Sequence, residues 1–452
     1  MKQLLSIVLC LLILFLCFPV SNAEGTFTSG DYKYSLHEDG TAEIVQYIGK
    51  AKKLEIPETL DGKTVNGIAD KAFLICSELT EVTIPGNIES IGFRAFYSCS
   101  SLKTVTIMNN VVHIGAEAFS DCIKLENVTI ADSVESIGDW AFSGCISLES
   151  IKLPHNLTEI GSNPFRKCTK LKAIIVALDH PSLAIIDGVL YSKQDKRLIC
   201  RPAKLDSNTL TIPDGIKIID CYAFNRSKNL NTVNIPNSVT TIGENAFDSC
   251  GNLKSIVIPN EVTKISKQAF TSCTGLSSIT FPEGITEIGE LAFFGCRISS
   301  LSIPSSVTFI GSRAFDSCSE LSSVTIPDSV TEIGDKAFAN CEKLNSIIIP
   351  DSITTISDEM LQGCISLSSV SIPDSVTTIG SRAFASCEKL SSLTIPQSVN
   401  EIGEEAFLGC SDTISITVER NSYAEEYCIY NGISFYYPDG STAEADLDWL
   451  AS

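Results

Sequence analysis

Apolar and polar positions keep one period along most of this chain. Residues 314–336, AFDSCSELSSVTIPDSVTEIGDK, span 23 positions, and Ala337-Phe338 begin the stretch again. The unit reads Ala-Phe-x-x-Cys-x-x-Leu-x-x-Val-x-Ile-Pro-x-x-Val-x-x-Ile-Gly-x-x. Its anchor is Phe at 73, 96, 119, 142, 165, 224, 247, 270, 293, 315, 338, 384 and 407, with Leu361 filling the slot once, which makes 14 units. Cys follows three residues later in every unit except at Ser227. Within a unit, Leu321-x-x-Val324-x-Ile326 changes to period two with β-branched residues, which predicts a short strand. Pro327 ends it, having no N–H for a ladder. Val330 and Ile333 return to the core through a second short extended piece. Ala337-Phe338-x-x-Cys341 then makes about one helical turn. Gly334 turns the chain, yet Ala69, Asp220, Ser266 and Ser357 replace it in other units. A positive φ is therefore not required there.

One such unit cannot bury both faces of so short a strand. Stacked units can, with strand on strand in parallel. The expected fold is a β-rich repeat solenoid with short helical or 3-10 turns. It has about 14 units of 23 residues along a rod and a cap at each end. The repeated Leu-x-x-Val-x-Ile resembles the strand core of a leucine-rich repeat. With Ile-Pro, Ile-Gly and Ala-Phe-x-x-Cys, the unit resembles the BspA-like branch of that family over residues 54–418. The resemblance implies a secreted or cell-surface protein of a bacterium or protist, with adhesion as its expected role.

Several segments depart from the period. Residues 1–23 read as a signal peptide: Lys2, an apolar run over 4–18, and Ser21-Asn22-Ala23 as a small-residue cleavage site. The mature chain is then expected to be secreted, without a membrane span. Residues 24–67 read as an N-terminal cap with an irregular first unit. Asp39-Gly40 sits in a hairpin, and Asp61-Gly62 makes an extra turn. Units fill 68–176 and 213–418. Between them, 177–212 read as a β-hairpin that protrudes from the solenoid, with its turn at 193–196. Residues 419–438 form a C-terminal cap with a helix over 423–430 and an extended piece over 433–437. Residues 439–452 are a polar tail.

Composition narrows the function. There are 33 basic and 54 acidic residues, a net charge of −21. With no basic stripe, nucleic acid is excluded as a partner. Equivalent cysteines stand one rung apart, about 4.8 Å, which is wide for a disulfide. The column is therefore expected to be reduced and buried. Cys200, Cys221 and Cys428 lie outside it, and a Cys200–Cys221 bridge is conceivable. No Cys-x-x-Cys pair offers a thiolate metal site. The histidines are His37, His113, His155 and His180, and no Gly-x-Ser-x-Gly, His-Glu-x-x-His or phosphate loop accompanies them. No enzyme, metal or cofactor is expected. Asn127, Asn156 and Asn225 lie in Asn-x-Ser/Thr sequons, which matter only in a eukaryotic secretory pathway.

Two surfaces could bind a partner. The first is the outward row beside each strand's central residue: Ser255, Ser278, Thr280, Ser300, Ser302, Ser323, Thr325, Ser346, Ser369, Ser371, Ser392 and Thr394. Regular hydroxyls on a broad face suit a protein or a glycan, although ordinary solvated strands also carry them. The second is the hairpin, where Lys193, Lys196, Arg197, Arg201 and Lys204 cluster in an otherwise acidic chain and could meet an anionic partner. The aromatic stretch Tyr423, Tyr427, Tyr430, Phe435 and Tyr436 reads as a seal on the last unit, or else as a stacking surface for sugars. The protein is expected to be a monomer.

Overall fold

The computed structural model describes residues 25–411 and 414–442. The expected signal segment and most of the expected tail lie outside the described residues. The fold is a β-solenoid in which each unit adds one rung to each of two parallel ladders. In the first ladder, Ser300–Ser302 pairs with Ser323–Thr325 and Ser346–Ile348 with Ser369–Ser371. The second ladder uses two-residue strands, such as Phe309–Ile310 beside Glu332–Ile333. This is the second extended piece that the Val-x-x-Ile spacing called for. Pro327 and its equivalents lie between the two strands, where their carbonyls accept the N–H of the next core residue, as Val330 does at 3.1 Å.

The return turn over the phenylalanine is not a continuous helical turn. Ala337 and Ala339 donate to the carbonyls of Gly334 and Lys336, each three residues back. Lys336 and Asn340, however, adopt φ of 58° and 55°. These left-handed residues break the run. They also aim alternate N–H groups along the rod: Lys336, Phe338 and Asn340 donate to Asp358, Met360 and Gln362 of the next unit. The turn therefore stacks as a third ladder-like edge. Gly334 itself is not left-handed. A Cβ there would stand 2.5 Å from the Ser312 backbone nitrogen, so glycine permits close approach of successive turns. Ser266 tolerates this place by donating its hydroxyl to the Ile242 carbonyl of the preceding unit at 2.5 Å.

Inside, the phenylalanines form a column. Phe270 and Phe293 stack at 5.3 Å with planes 2° apart, and Phe315 and Phe338 at 5.4 Å and 9°. Tyr47 extends the column onto the N-terminal cap, 5.2 Å from Phe73. That cap comprises the strands Phe27–Ser29, Tyr32–Leu36 and Ala42–Tyr47, the last running parallel to Lys63–Ile68. At the other end a helix, α1 (Tyr423–Asn431), is capped by Ser422 and stopped by left-handed Gly432. The strand Phe435–Tyr436 then adds to Ser415–Val418. Tyr427 meets Phe407 edge-on at 6.1 Å, and Phe435 and Tyr437 are buried. Tyr423 and Tyr430 face solvent.

The insert does not protrude. Leu183–Ile186, Val189–Ser192 and Arg197–Cys200 form an antiparallel meander, and its last strand continues the second ladder beside Ile218–Ile219. Its alternating side chains are buried on both faces. Val189, Tyr191 and Leu198 join the C-terminal core, whereas Leu190, Ile199 and Cys200 join the N-terminal one. The insert is thus an internal wall between two cores. A two-faced apolar strand such as Val189-Leu190-Tyr191 cannot stand in water, and sandwiching it between units is what buries both sides.

Candidate functional site

The wall changes the meaning of the basic cluster expected on a hairpin surface. Arg201 is 2 % exposed. Its backbone N–H bonds the Ala223 carbonyl, the same link that anchor phenylalanines such as Phe224 and Phe247 make to the following unit. Arg201 therefore occupies an anchor slot, one period before Phe224. Its guanidinium turns to the carbonyls of Pro202, Leu205 and Ser207 at 3.3, 3.2 and 2.5 Å. Arg197 is also spent internally. It pairs with Asp220 at 2.5 Å and donates to the Ile160 carbonyl at 2.7 Å, bridging the gap between rungs. Burial raises the Asp220 pKa, and the Arg197 charge opposes that rise. Lys193 donates to the His180 carbonyl at 2.5 Å. Of the named basic residues, Lys193, Lys196 and Lys204 remain exposed without an ion pair among the described residues. The expected basic patch therefore loses its two arginines, which are turned inward and serve the fold, while its lysines stay at the surface.

His180 is fully buried at the start of the insert. Its Nε2 faces the Pro154 carbonyl at 3.0 Å, and its Nδ1 lies within reach of the Ser182 and Leu183 N–H groups. Burial lowers its pKa, and an Nδ1 that accepts two N–H bonds must be unprotonated. It is a structural histidine.

The cysteine column is free of disulfides, and so are Cys200, Cys221 and Cys428. Each column thiol beyond Cys76 donates to the carbonyl of the preceding unit's anchor: Cys122 to Phe96 at 3.2 Å, Cys296 to Phe270 at 3.2 Å, Cys387 to Leu361 at 3.3 Å. The thiols tie unit to unit, and burial pushes the Cys318 and Cys364 pKa values up to about 12. Among the described residues, no group of three His, Cys, Asp or Glu side chains is placed to hold a metal ion.

Hydroxyls at three recurrent places in the unit bond the preceding unit. Ser329 and Ser375 donate to the carbonyls of Val307 and Ile353, each at 2.8 Å. Thr286 and Thr331 do so to Thr263 and Thr308, and Ser322 and Ser368 to Ser299 and Asn345. The outward row of the first ladder behaves differently. Ser255, Ser278, Thr280, Ser300, Ser302, Ser323, Thr325, Ser346, Ser369, Ser371, Ser392 and Thr394 are all exposed. None of their hydroxyls bonds within the chain among the described residues. They pair across rungs in register, Ser300 beside Ser323 and Ser346 beside Ser369.

The structure adds members that the hydroxyl pattern passed over. Val257 and Ile348 lie in the same outward row at 63 % and 72 % exposure. Ser415 and Thr417 extend the row beyond Thr394, and Tyr436 closes it beside Thr417. Period two alone assigns Val257 and Ile348 outward, so the signal was present in Ser-Ile-Val and Ser-Ile-Ile. Tyr436 carried no such signal, because its place depends on how α1 folds back.

With this geometry in place, the relatives are informative. Residues 66–188, 203–322 and 308–435 match the BspA type Leucine rich repeat region, with 6 copies. The chain belongs to that family. Among solved structures it is similar to a leucine rich cell surface protein from Faecalibacterium prausnitzii A2-165. That similarity has 29 % identity and a TM-score of 0.52, covering 91 % of this chain and 98 % of that one. It is also similar to a leucine-rich repeat protein from Bacteroides ovatus, with 27 % identity, a TM-score of 0.50 and 91 % and 99 % of the two chains covered. A third, from Eubacterium ventriosum, has 25 % identity and a TM-score of 0.51 over 80 % and 94 %. No functionally curated protein matches the chain. Among the described residues, no helix is long and apolar enough to cross a membrane.

Proposed function

We propose that this protein is a secreted, non-catalytic binding protein acting at a cell surface, where it engages a protein partner through the outward row of the first ladder. One contrast carries the reading. The outward-row hydroxyls from Ser255 to Thr394 make no hydrogen bond within the chain among the described residues, unlike those of Ser322, Ser329 and Thr331 in the same units, and they share their face with exposed Val257 and Ile348. Apolar contacts set among unspent hydrogen-bonding groups are the composition of a protein interface. Export through residues 1–23 would place this face outside the cell, in keeping with the cell-surface description of the similar F. prausnitzii protein.

The test is binding of the full chain to an array of immobilised extracellular-matrix proteins. Ser300, Ser323, Ser346 and Ser369 changed together to Arg should remove whatever binding the parent shows and leave the circular dichroism spectrum intact. Changing Lys193 and Lys196 to Ser should leave binding in place. A fourfold Arg variant that binds like the parent would refute the assignment of this face.

A further inference from the structure

The row of side chains two residues before each anchor runs along the turn edge of the rod. Trp140 and Tyr222 belong to it, and Asn163 stands between them. Asn163 turns inward: it is 2 % exposed, donates to the Tyr222 carbonyl at 2.6 Å and accepts from the Phe165 N–H at 3.1 Å. The outer place it leaves is taken by Arg166, from the position just after the anchor. The Arg166 guanidinium carbon lies 3.9 Å from the Tyr222 ring centre and 5.5 Å from that of Trp140. The two rings meet edge to face at 6.3 Å. Because the wall stands between the ladders, this is where the turns of the two halves touch directly, with the Lys167 N–H on the Asn225 carboxamide at 3.2 Å.

The same molecule shows what a ring-held arginine does. Arg94 lies over Phe93 and Tyr97 at 4.8 and 5.0 Å, and its fork holds the Glu117 carboxylate through Nε at 3.0 Å and a terminal nitrogen at 2.9 Å. Arg420 lies over Tyr437 at 3.9 Å and reaches Asp439 at 3.5 Å. The Arg166 guanidinium is held in the same manner, yet it has no hydrogen-bond or ion-pair partner among the described residues, and its Nε is buried and unsatisfied. The nearby Asp248 carboxylate is engaged by Asn225 at 2.7 Å and by Ser249 at 2.8 Å. Lys167 and Arg226 leave adjacent turns beside it, both exposed and without an ion pair among the described residues.

We propose that Arg166, framed by Trp140 and Tyr222, is a binding site for the carboxylate of an acidic sugar, a uronate within a polysaccharide, with Lys167 and Arg226 beside it for neighbouring carboxylates. The planar fork matches a carboxylate through two parallel hydrogen bonds. The rings that fix the guanidinium offer edges on which a pyranose can pack. A peptide strand has nothing to pair with here, because the backbone is spent: Gly144 N–H on the Arg166 carbonyl, and Arg226 N–H on that of Asp248. The site lies on the turn edge, apart from the hydroxyl face.

The chain has two tryptophans, Trp140 and Trp449, so Trp449→Phe makes Trp140 the sole reporter. Oligogalacturonate titrated into this full-length variant should change its emission saturably, and added salt should weaken binding. Arg166→Gln should weaken it at least about tenfold. Arg166→Lys should also weaken it, because the charge stays and the fork goes, and this second variant separates recognition from any loss of packing. The proposal is overturned by an emission that does not respond to oligogalacturonate. Either arginine variant titrating like the parent would overturn it too, as would oligoglutamate of equal length binding as well as the sugar acid.

Discussion

At the residue scale, the cysteines repay attention because the repeat places a reactive group where the fold makes it inert. A thiol in this column gives up water for a neighbour's carbonyl, so its charged form is disfavoured and its pKa rises. The ordinary value is 9.0, and Cys168 is pushed up to about 12 and Cys410 to about 11. The unfolded chain therefore loses thiol protons first as pH rises. Stability from these groups is fully present below 9.0 and is lost between 9.0 and about 12. The urea midpoint should accordingly be flat on the neutral side and fall through that window. Native protein should also be nearly silent to a thiol reagent near neutral pH, whereas urea-unfolded protein should react at most cysteines. A midpoint that stays level across the whole alkaline window would contradict the buried-thiol account. Burial of this column was legible from spacing alone. The S–H bonds to the anchor carbonyls were not, because they join residues 26 positions apart in different units.

At the scale of elements, the wall depends on Arg197. Its side chain is 15 % exposed and that of Asp220 is 8 %. Removing one partner of such a pair leaves the other buried and uncompensated, at a cost of about 3–5 kcal/mol. Arg197→Met should lower the denaturant midpoint accordingly and speed amide exchange at Leu198 and Ile219, the paired rungs beside it. Arg197→Met with Asp220→Leu should recover part of the loss, since no charge is then stranded. If the single variant is as stable as the parent, Arg197 is not the clamp described above. The strands of the insert could be read from Ile185-Ile186 and Val189-Leu190-Tyr191. Their burial on both faces could not, because a short apolar run looks the same whether one side or both are covered.

At the scale of the whole molecule, the wall divides one repeat array into two cores. Across it, the Phe165 and Phe224 rings are not stacked, and the Phe165 N–H bonds the Asn163 side chain instead of a following turn. Repeat stability is a sum of unit and nearest-neighbour terms, so a weakened junction separates the array into cooperative blocks. Phe119→Ala and Phe338→Ala should each cost about 3–5 kcal/mol. In hydrogen exchange the first should expose mainly the N-terminal block and the second mainly the C-terminal one. Thr325→Ala, on the outward row, should stay within about 0.5 kcal/mol of the parent. Loss of protection spreading evenly over both blocks from either phenylalanine would show that the wall couples them.

The sequence by itself determined the repeat, its period, the inward and outward assignment of each column, and the capped ends. It could do so because a unit's environment is another copy of the same unit, so local pattern and tertiary neighbour carry the same information. Tertiary structure decided what breaks that equivalence. Arg201 became an anchor and Arg197 a clamp once the insert was stacked within the rod. Non-glycine residues such as Lys336 and Asn340 took left-handed turns because successive turns stack closely and share hydrogen bonds. Which hydroxyls remained free, and which arginine remained unpaired beside two rings, followed from partners one unit away or across the wall. Side-chain type alone does not record such partners, because satisfaction of a polar group depends on what the fold brings within hydrogen-bond reach.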